Sequence, residues 1–169
     1  MSFATADLYD EYKEDLQIAR PMFNDYGDIK QFSGPALTLK VFEDNSLVRA
    51  ALEEPGLGKV RVGEGGGSLR CALLGDMLAE LGVKNGWAGV IVHGCIRDSV
   101  VIGKMNIGLK ALNTNPRKSV KKGVGDRDVV VTFADVTINP GDYIYADEDG
   151  FVVSKGKLKE RFYMQRIVK

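Results

Sequence analysis

The chain has 169 residues, of which 23 are basic and 23 acidic, so its formal net charge at pH 7 is zero when the single histidine is neutral. A chain of this length forms one domain that buries roughly two-thirds of the surface its unfolded form exposes. The balanced charge argues against a nucleic-acid-binding surface, and no stretch approaches the ~18 apolar residues that a membrane span needs. We therefore expect a single domain over residues 1–169, with no direct nucleic-acid partner and no membrane association.

The two cysteines point to a reducing compartment. Cys71 and Cys95 lack the spacing of a metal finger, and the acidic N-terminus has no apolar signal core. This pattern predicts a cytoplasmic protein. His93 stands two residues from Cys95 on an expected strand, where alternate residues share a face, so a Cys-His pair stays open. Packing is the favoured interpretation of both side chains, because no third group that would orient them is evident.

The first half of the chain predicts mostly helices. Thr5 is a suitable cap for an amphipathic helix whose apolar face continues to Ala19, ahead of Pro21. Asn45 or Ser46 is placed to cap a second, shorter helix. A glycine turn that ends at Ser68 leads into a third helical segment, and Gly75 separates it from a fourth. The expected strands are residues 32–42 and 59–62, and the expected later helices are residues 47–53, 69–74 and 76–81.

The second half predicts mostly strands. Residues 87–92 are continuously apolar, as in a strand covered on both faces, and Arg97 and Asp98 follow its carboxyl end. Asn139-Pro140-Gly141-Asp142 is a strong turn signal. The remaining expectations are a strand at residues 107–112, a basic loop at 116–122, a hairpin of 129–133 with 136–138, a hairpin of 143–146 with 151–154, and a charged tail over 155–169.

Chemistry concentrates between the triple glycine and Asp98. Gly65-Gly66-Gly67 does not match a P-loop, because no Gly-Lys-Ser/Thr follows, and a tight turn is its simplest interpretation. The backbone N–H groups of residues 75–78 would point at an anion from a helix N-terminus. Arg97 could add a bidentate fork for a carboxylate, and Asp98 offers hard oxygen for Mg²⁺ or Mn²⁺. A surface ion pair is the simplest alternative for an isolated Arg-Asp dipeptide.

Four segments resemble a known family. They are FSGPALTLKVFEDNSLV, GEGGGSLRCALLGDMLAE, NGWAGVIVHGCIRD and GDYIYADEDGFVVS. The chain resembles, roughly from Thr5 to Leu158, the RraA-like family of regulators of ribonuclease E activity and 4-hydroxy-4-methyl-2-oxoglutarate aldolases. The resemblance implies an α/β fold, a single-domain layered α/β/β sandwich of the swivelling-domain type with mixed sheets. Its catalytic members carry Asp-X20-Arg-Asp, which corresponds here to Asp76, Arg97 and Asp98.

The resemblance also implies an activity. It is a class II pyruvate aldolase that depends on Mg²⁺ or Mn²⁺ and cleaves 4-hydroxy-4-methyl-2-oxoglutarate to two pyruvates, with oxaloacetate decarboxylation through the same pyruvate enolate. Asp98 would be the metal ligand, and Arg97 would hold the pyruvyl carboxylate or keto oxygen. The backbone of Gly75, Asp76, Met77 and Leu78 would bind substrate carboxylate, and Asp76 would orient the water that protonates the enolate.

The same family leaves other functions open. The alternative is a non-catalytic regulator that binds ribonuclease E, and a third possibility is an enzyme acting on another small 2-keto acid. The three motif residues favour chemistry. A homotrimer or higher ring is implied, with sites between subunits, and in some aldolases a C-terminal extension supplies an acid to the metal shell of the neighbouring subunit. The expected substitutes in this chain are Glu43, Asp44, Asp147 and Asp149, among which the sequence does not choose.

Overall fold

A computed structural model describes residues 2–159 of the chain. The helices are α1 (Thr5–Tyr12), α2 (Ser46–Glu53), α3 (Asp76–Lys84) and α4 (Ser99–Ile102). The strands are β1 (Gln17–Ile18), β2 (Asn24–Asp25), β3 (Phe32–Lys40), β4 (Val60–Glu64), β5 (Ala72–Leu74), β6 (Gly89–Ile96), β7 (Gly108–Thr114), β8 (Asp126–Arg127), β9 (Val131–Phe133), β10 (Val136–Ile138), β11 (Tyr143–Asp147) and β12 (Gly150–Ser154).

Four parallel strands form the centre of a large mixed sheet, in the order β3-β4-β6-β7. Strands β11, β12 and β1 extend it on one side in antiparallel pairing, and β2 closes the other side. Val60, Val62 and Ile91 in the centre have no exposed surface. Continuous apolar runs of this kind belong to parallel strands that are covered on both faces.

Two layers cover the sheet. On one face α2 and α3 pack on alternate residues of β6, such as Val90 and Val92, together with Leu109 of β7. On the other face Ile91 packs with the separate β9–β10 hairpin through residues such as Phe133, and side chains of the sheet's own strands β11 and β12 join this core. The alternation along β6 sends neighbouring side chains into different cores. This arrangement confirms the mixed α/β fold with one large mixed sheet.

The segment at residues 69–74 was expected to be helical, and that prediction was wrong. Ala72–Leu74 is strand β5, which pairs in parallel with β6 just beyond the end of β4, with Leu74 opposite Ile96. All three residues of β5 are buried. A short apolar run between turn residues has no periodicity that separates strand from helix, and the pairing with β6 decides the case here.

The first helix is also shorter than expected. It ends at Tyr12 and gives way to a 3₁₀ turn and then to β1, instead of continuing to Ala19. Thr5 is its first residue and not its cap. The backbone amide of Thr5 donates to Asp147 Oδ2 at 2.8 Å, and its hydroxyl donates to Oδ1 at 2.7 Å. A carboxylate from β11 therefore satisfies donors that a helix N-terminus leaves free.

Both predicted hairpins are confirmed. Phe133 pairs with Val136 across Ala134 and Asp135, which have φ of 48° and 65°, as tight two-residue hairpin turns require. The predicted second helix, basic loop and 139–142 turn are present as well. Of the predicted tail, residues 160–169 lie outside the described residues. None of the helices in the described part is long and apolar enough to cross a membrane.

Candidate functional site

A cleft of about 310 Å³ opens where β5 ends and α3 begins. Two kinds of residue line it. The residues that the sequence singled out all line it: Gly75, Asp76, Met77, Leu78, Arg97 and Asp98. The residues that it did not assign to a site are Asn45, Ser46, Arg49, Ala72, Lys118, Ser119 and Lys121. The structure therefore brings the two halves of the Asp-X20-Arg-Asp motif into one depression.

Strand pairing places the motif halves side by side. Leu74 and Ile96 are neighbours in the β5–β6 ladder, and the Arg97 amide donates to the Leu74 carbonyl at 2.9 Å. Both strands run in the same direction, so their carboxyl ends meet at one edge of the sheet. Helix α3 starts directly after β5, and Arg97 directly follows β6. The twenty residues between Asp76 and Arg97 make one crossover that returns to its starting edge.

The Asp98 carboxylate lies at the N-terminus of α3. Its Oδ2 accepts a hydrogen bond from the Asp76 amide at 3.0 Å, and Asp76 Oδ1 accepts one from the Met77 amide at 2.8 Å. The positive end of a helix dipole favours negative charge at this point. The amides of Asp76 and Met77, two of the four that were expected to bind an anion, thus donate to carboxylates of the site itself. The first i→i−4 hydrogen bond of the helix runs from the Ala79 amide to the Gly75 carbonyl, so the Leu78 amide lies before it.

The backbone of Asp98 has an uncommon conformation. Its φ of 61° and ψ of 38° lie in the left-handed region, directly before α4. Aspartate and asparagine enter this region more readily than other non-glycine residues, but usually with some strain. Such strain persists where the surrounding structure imposes it, and it is common at functional sites. The conformation turns the chain sharply after Arg97 and leaves the Asp98 carboxylate over the start of α3.

Gly75 permits the close approach of these groups. A Cβ atom at this position would lie 2.7 Å from Asp98 Oδ2 and 3.4 Å from Arg97 Cγ. Its φ of −123° is open to any residue, so the need for glycine comes from space and not from backbone freedom. The carboxylate of Asp98 fills the volume that a side chain would occupy.

The Arg97 guanidinium is half-buried and open to a ligand. Its Nη1 donates to the Pro116 carbonyl at 3.4 Å, which is a long bond. Within residues 2–159, no carboxylate lies within ion-pair distance of it. A guanidinium in a cleft without a carboxylate partner is suited to bind an anionic ligand in a bidentate manner.

A basic loop forms the opposite wall of the cleft. The Ala72 amide donates to the Arg117 carbonyl at 2.7 Å, and Ala72 bridges to Lys118. This pairing brings Lys118 and Lys121 into the cleft lining. The basic composition of residues 116–122 was visible in the sequence. Its location was not, because it depends on pairing with a segment more than forty residues earlier that was expected to be helical.

The Asp44 carboxylate holds the basic loop through hydrogen bonds. Its Oδ1 accepts bonds from the amide and hydroxyl of Ser46, and its Oδ2 accepts bonds from the amides of Lys122 and Val124 at 2.9 and 3.1 Å. Burial alone would raise the pKa of this carboxyl, but the bonds from Ser46, Val124 and Lys122 outweigh burial and lower it to about 2. The sequence predicted that Asn45 or Ser46 caps α2, but it is Asp44 that accepts the hydrogen bond from the Ser46 amide at the start of this helix.

The reactive-looking pair His93 and Cys95 does not line the cleft. His93 Nδ1 is 2.6 Å from Glu64 Oε1, and its ring stacks on Phe133 with centroids 4.9 Å apart. Cys95 is buried, and burial raises the pKa of its thiol above the ordinary value, which disfavours the nucleophilic thiolate. Glu64 is the hydrogen-bond partner of His93 that the sequence did not reveal, and the pair joins neighbouring positions of β4 and β6.

The triple glycine is a structural turn. Gly66 and Gly67 have φ of 70° and 73°, a region that suits glycine. The amides of Gly65 and Gly67 both donate to the His93 carbonyl, and the Gly66 amide donates to Glu64 Oε1. Because these donors are used within the chain, the turn is not an anion nest.

The four candidate acids lie elsewhere. Glu43 accepts bonds from Ser68 and Arg70, and Asp147 holds Thr5 and the Asp149 amide. Asp44 holds the basic loop. None of these acids lines the cleft of its own chain among the described residues, so their contribution to a neighbouring subunit stays a prediction.

A family model described as Aldolase/RraA matches residues 5–153, nearly the whole chain. The chain belongs to the RraA-like family. Three proteins that are similar to this chain carry three different names. A protein of Alkalilimnicola ehrlichii, provisionally named 4-hydroxy-4-methyl-2-oxoglutarate aldolase, is 59% identical over 158 residues, which cover 94% of this chain and 98% of that protein.

Two solved structures share the RraA-like fold closely. The RNA-processing inhibitor RraA from Thermus thermophilis has a TM-score of 0.91 at 44% identity and covers 95% of this chain and 97% of its own. A structure titled S-adenosylmethionine: 2-dimethylmenaquinone methyltransferase from Geobacillus kaustophilus has a TM-score of 0.89 at 52% identity, with 92% and 97% coverage.

The RraA-like cleft offers a sparse donor set for a metal ion. Within residues 2–159 there is no cluster of three or more His, Cys, Asp or Glu side chains arranged for a metal. The cleft contributes the carboxylates of Asp76 and Asp98. Mg²⁺ usually keeps several waters and takes only one or two protein carboxylates together with substrate oxygens. The residues present therefore fit a hydrated Mg²⁺ or Mn²⁺ ion and do not form a closed metal cage.

Proposed function

We propose that this chain is a divalent-metal-dependent aldolase that cleaves 4-hydroxy-4-methyl-2-oxoglutarate into two pyruvates and decarboxylates oxaloacetate as a secondary reaction. The observation that carries the proposal is the convergence of Asp76, Arg97 and Asp98 on one cleft. The aldolase name of a relative that is 59% identical supports it. The cationic lining suits an oxo acid better than the positively charged sulfonium of S-adenosylmethionine, which argues against methyl transfer from that cofactor in this cleft.

The proposed reaction breaks the bond between C3 and C4 of the substrate. The C4 hydroxyl gives its proton to a water molecule, the C4–O bond becomes a carbonyl, and the electrons of the C3–C4 bond pass to C3 as a pyruvate enolate. A proton delivered to C3 then completes the second pyruvate. Loss of carbon dioxide from oxaloacetate leaves the same enolate, so one site serves both substrates.

Arg97 supplies the fixed positive charge in this scheme. Its guanidinium would hold the pyruvyl carboxylate or keto oxygen and stabilise the negative charge that develops on the enolate. Asp98, kept in place by the Asp76 amide, would hold the divalent ion. That ion, when bound, supplies a Lewis acid for the 2-keto oxygen. Asp76 would orient the water that returns a proton to C3.

The experiment is a coupled assay of pyruvate release from both substrates, with Mg²⁺ or Mn²⁺ and with a chelator. Arg97→Ala and Asp98→Asn should each lower kcat/KM by about a hundredfold or more. Asparagine is chosen at Asp98 because it tolerates the left-handed backbone. Arg20→Ala is the matched control, since Arg20 is exposed and pairs with Asp135 outside the cleft. Chelator-resistant release, or unchanged rates in both site variants, would refute the proposal.

The second candidate function is binding and inhibition of a ribonuclease. The close fold match to an RNA-processing inhibitor of 44% identity favours it. A pull-down of ribonuclease E with wild-type protein and with Arg97→Ala separates the two functions. Binding by an inactive variant would place the regulatory surface outside the cleft, and absence of binding by both proteins would leave catalysis as the function.

A further inference from the structure

The charge of the cleft exceeds what the three motif residues require. Its lining holds four basic side chains, Arg49, Arg97, Lys118 and Lys121, and two carboxylates, Asp76 and Asp98. The chain as a whole has equal numbers of basic and acidic residues, so this excess is local. A pyruvyl carboxylate and its enolate need only Arg97 and the motif, which leaves the basic wall without a role.

The two lysines of that wall have no acidic partner. Lys118 and Lys121 are exposed, and within residues 2–159 neither forms an ion pair. Arg49 meets Glu53 only at 3.9 Å, a weak surface pair. Both lysines line the cleft, and their charge is available to a ligand.

Buried polar atoms stand next to these lysines. Ser119 is 5% exposed, and its hydroxyl has no hydrogen-bond partner; Asn45 Oδ1, also in the lining, has none either. A buried polar group without a partner is costly and unusual. A ligand carboxylate beside Lys118 and Lys121 would give the Ser119 hydroxyl an acceptor.

The basic wall and the motif residues share one cleft. Arg97 and Asp98 adjoin the end of β5 at Gly75, and the basic loop adjoins its start at Ala72. The Arg97 guanidinium reaches the first residue of that loop, donating to the Pro116 carbonyl at 3.4 Å. A ligand bound to Arg97 therefore has Lys118 and Lys121 in the lining of the same cleft. The hydrogen bonds from the loop to Asp44 hold the loop in place.

We propose that Lys118, Lys121 and Ser119 form a second carboxylate subsite, which makes the cleft select 2-oxo diacids over 2-oxo monoacids. The inference rests on the proposed aldolase function, because Arg97 is taken to hold the oxo-acid end. The substrate's far carboxylate lies against the basic wall, and its reacting C3–C4 bond lies between the two subsites. These residues bind and orient the substrate and take no part in bond breaking.

The test compares two unreactive ligands that differ only at the far end, 2-oxoglutarate and 2-oxopentanoate, by calorimetry in a buffer with Mg²⁺. Charged hydrogen bonds are worth enough that wild-type protein should bind 2-oxoglutarate about tenfold more tightly or better. Lys118→Ala with Lys121→Ala should abolish this preference and change 2-oxopentanoate binding less than about twofold. The doubly substituted Lys→Arg protein should keep the preference, and Ser119→Ala should reduce it.

Lys13→Ala with Lys155→Ala is the matched control, because both lysines are exposed and neither lines the cleft. Equal affinity of wild type for the two ligands, or a preference that survives in Lys118→Ala/Lys121→Ala, would overturn the inference. Pyruvate release from 4-hydroxy-4-methyl-2-oxoglutarate is measured in parallel. A diacid preference without pyruvate release refutes the aldolase proposal alone, whereas release without a preference refutes the second subsite alone.

Discussion

At the scale of single residues, the site depends on Gly75, which has no side chain, and on Asp98, whose backbone is left-handed. Gly75 leaves the space that the Asp98 carboxylate occupies, and Asp98 accepts the left-handed backbone that brings its carboxylate there. The Asp76 amide then holds Asp98 Oδ2 at 3.0 Å. A Cβ atom added at Gly75 would meet the end of the Asp98 side chain and not the backbone. A substitution there should therefore affect activity more than stability.

Gly75→Ala should therefore damage the site more than the fold. The new methyl group would displace the Asp98 carboxylate, since the two would otherwise be 2.7 Å apart. We expect kcat/KM for pyruvate release to fall by about a hundredfold, while the midpoint of thermal unfolding moves by only a few degrees. Gly156→Ala, where a Cβ meets nothing within 4 Å, is the control. A large loss of stability in Gly75→Ala would show that the position is structural.

The lowered pKa of Asp44 predicts how the free energy of unfolding changes in acid. Its pKa of about 2 in the folded protein lies below the ordinary 3.8, so it stabilises the fold above pH 4, and this contribution disappears as the pH falls toward 2. Asp44→Asn should lower the free energy of unfolding by about 2 kcal/mol at pH 7. The difference from wild type should shrink between pH 4 and pH 2.

Urea unfolding at pH 7, 4 and 2.5 measures this difference. Asp10→Asn, at an exposed position of α1, should stay within about 0.5 kcal/mol of wild type at pH 7. A pH-independent difference for Asp44→Asn would mean that the hydrogen bonds do not depend on the charge of the carboxylate.

At the scale of elements, the site is made where β5, β6 and α3 end or begin. The strand positions follow from burial on both faces, and α3 is held in place by packing against α2. Leu52 of α2 has no exposed surface and lies close to Gly82 of α3. The position of α3 sets the position of Asp76, so core packing and site geometry are linked through one helix.

Leu52→Ala tests the packing of α2 against α3. The cavity should lower the free energy of unfolding by about 2–5 kcal/mol, as measured by urea denaturation. Because the vacated volume lies behind α3, pyruvate release at temperatures well below unfolding should change less than in Arg97→Ala. Leu69→Ala, with a side chain 56% exposed, is the control and should remain within about 1 kcal/mol of wild type. A stability loss as small as that of Leu69→Ala would contradict the packing role.

At the scale of the whole molecule, three exposed apolar side chains belong to helices α3 and α4, which begin beside the cleft. Met77 is 66% exposed, Val100 76% and Val101 49%. Exposed apolar groups that lie together often mark an association surface. We propose that these side chains contribute to the contacts of the expected trimeric or larger ring, since Met77 lies in the cleft lining and Val100 and Val101 follow Asp98 in the chain.

Sedimentation at micromolar concentration should accordingly show a mass of three or more chains. Val100→Asp should weaken the assembly and move the equilibrium toward smaller species, because it would bury an unpaired charge. Val130→Asp, at another exposed apolar position that does not line the cleft, is the control. A wild-type protein that sediments as a monomer across the concentration range would contradict the ring.

Much of this protein was determined by sequence alone. The β6 strand, the two hairpins and the start of α3 follow from apolar periodicity and turn residues, which are local properties. Asp76, Arg97 and Asp98, which the family resemblance marks, lie together in one cleft. Only the tertiary structure decided that Ala72–Leu74 is a strand, that the basic loop faces Arg97, and that Asp44 holds this loop. These features depend on pairing between distant segments, whose energy is absent from any short stretch of chain.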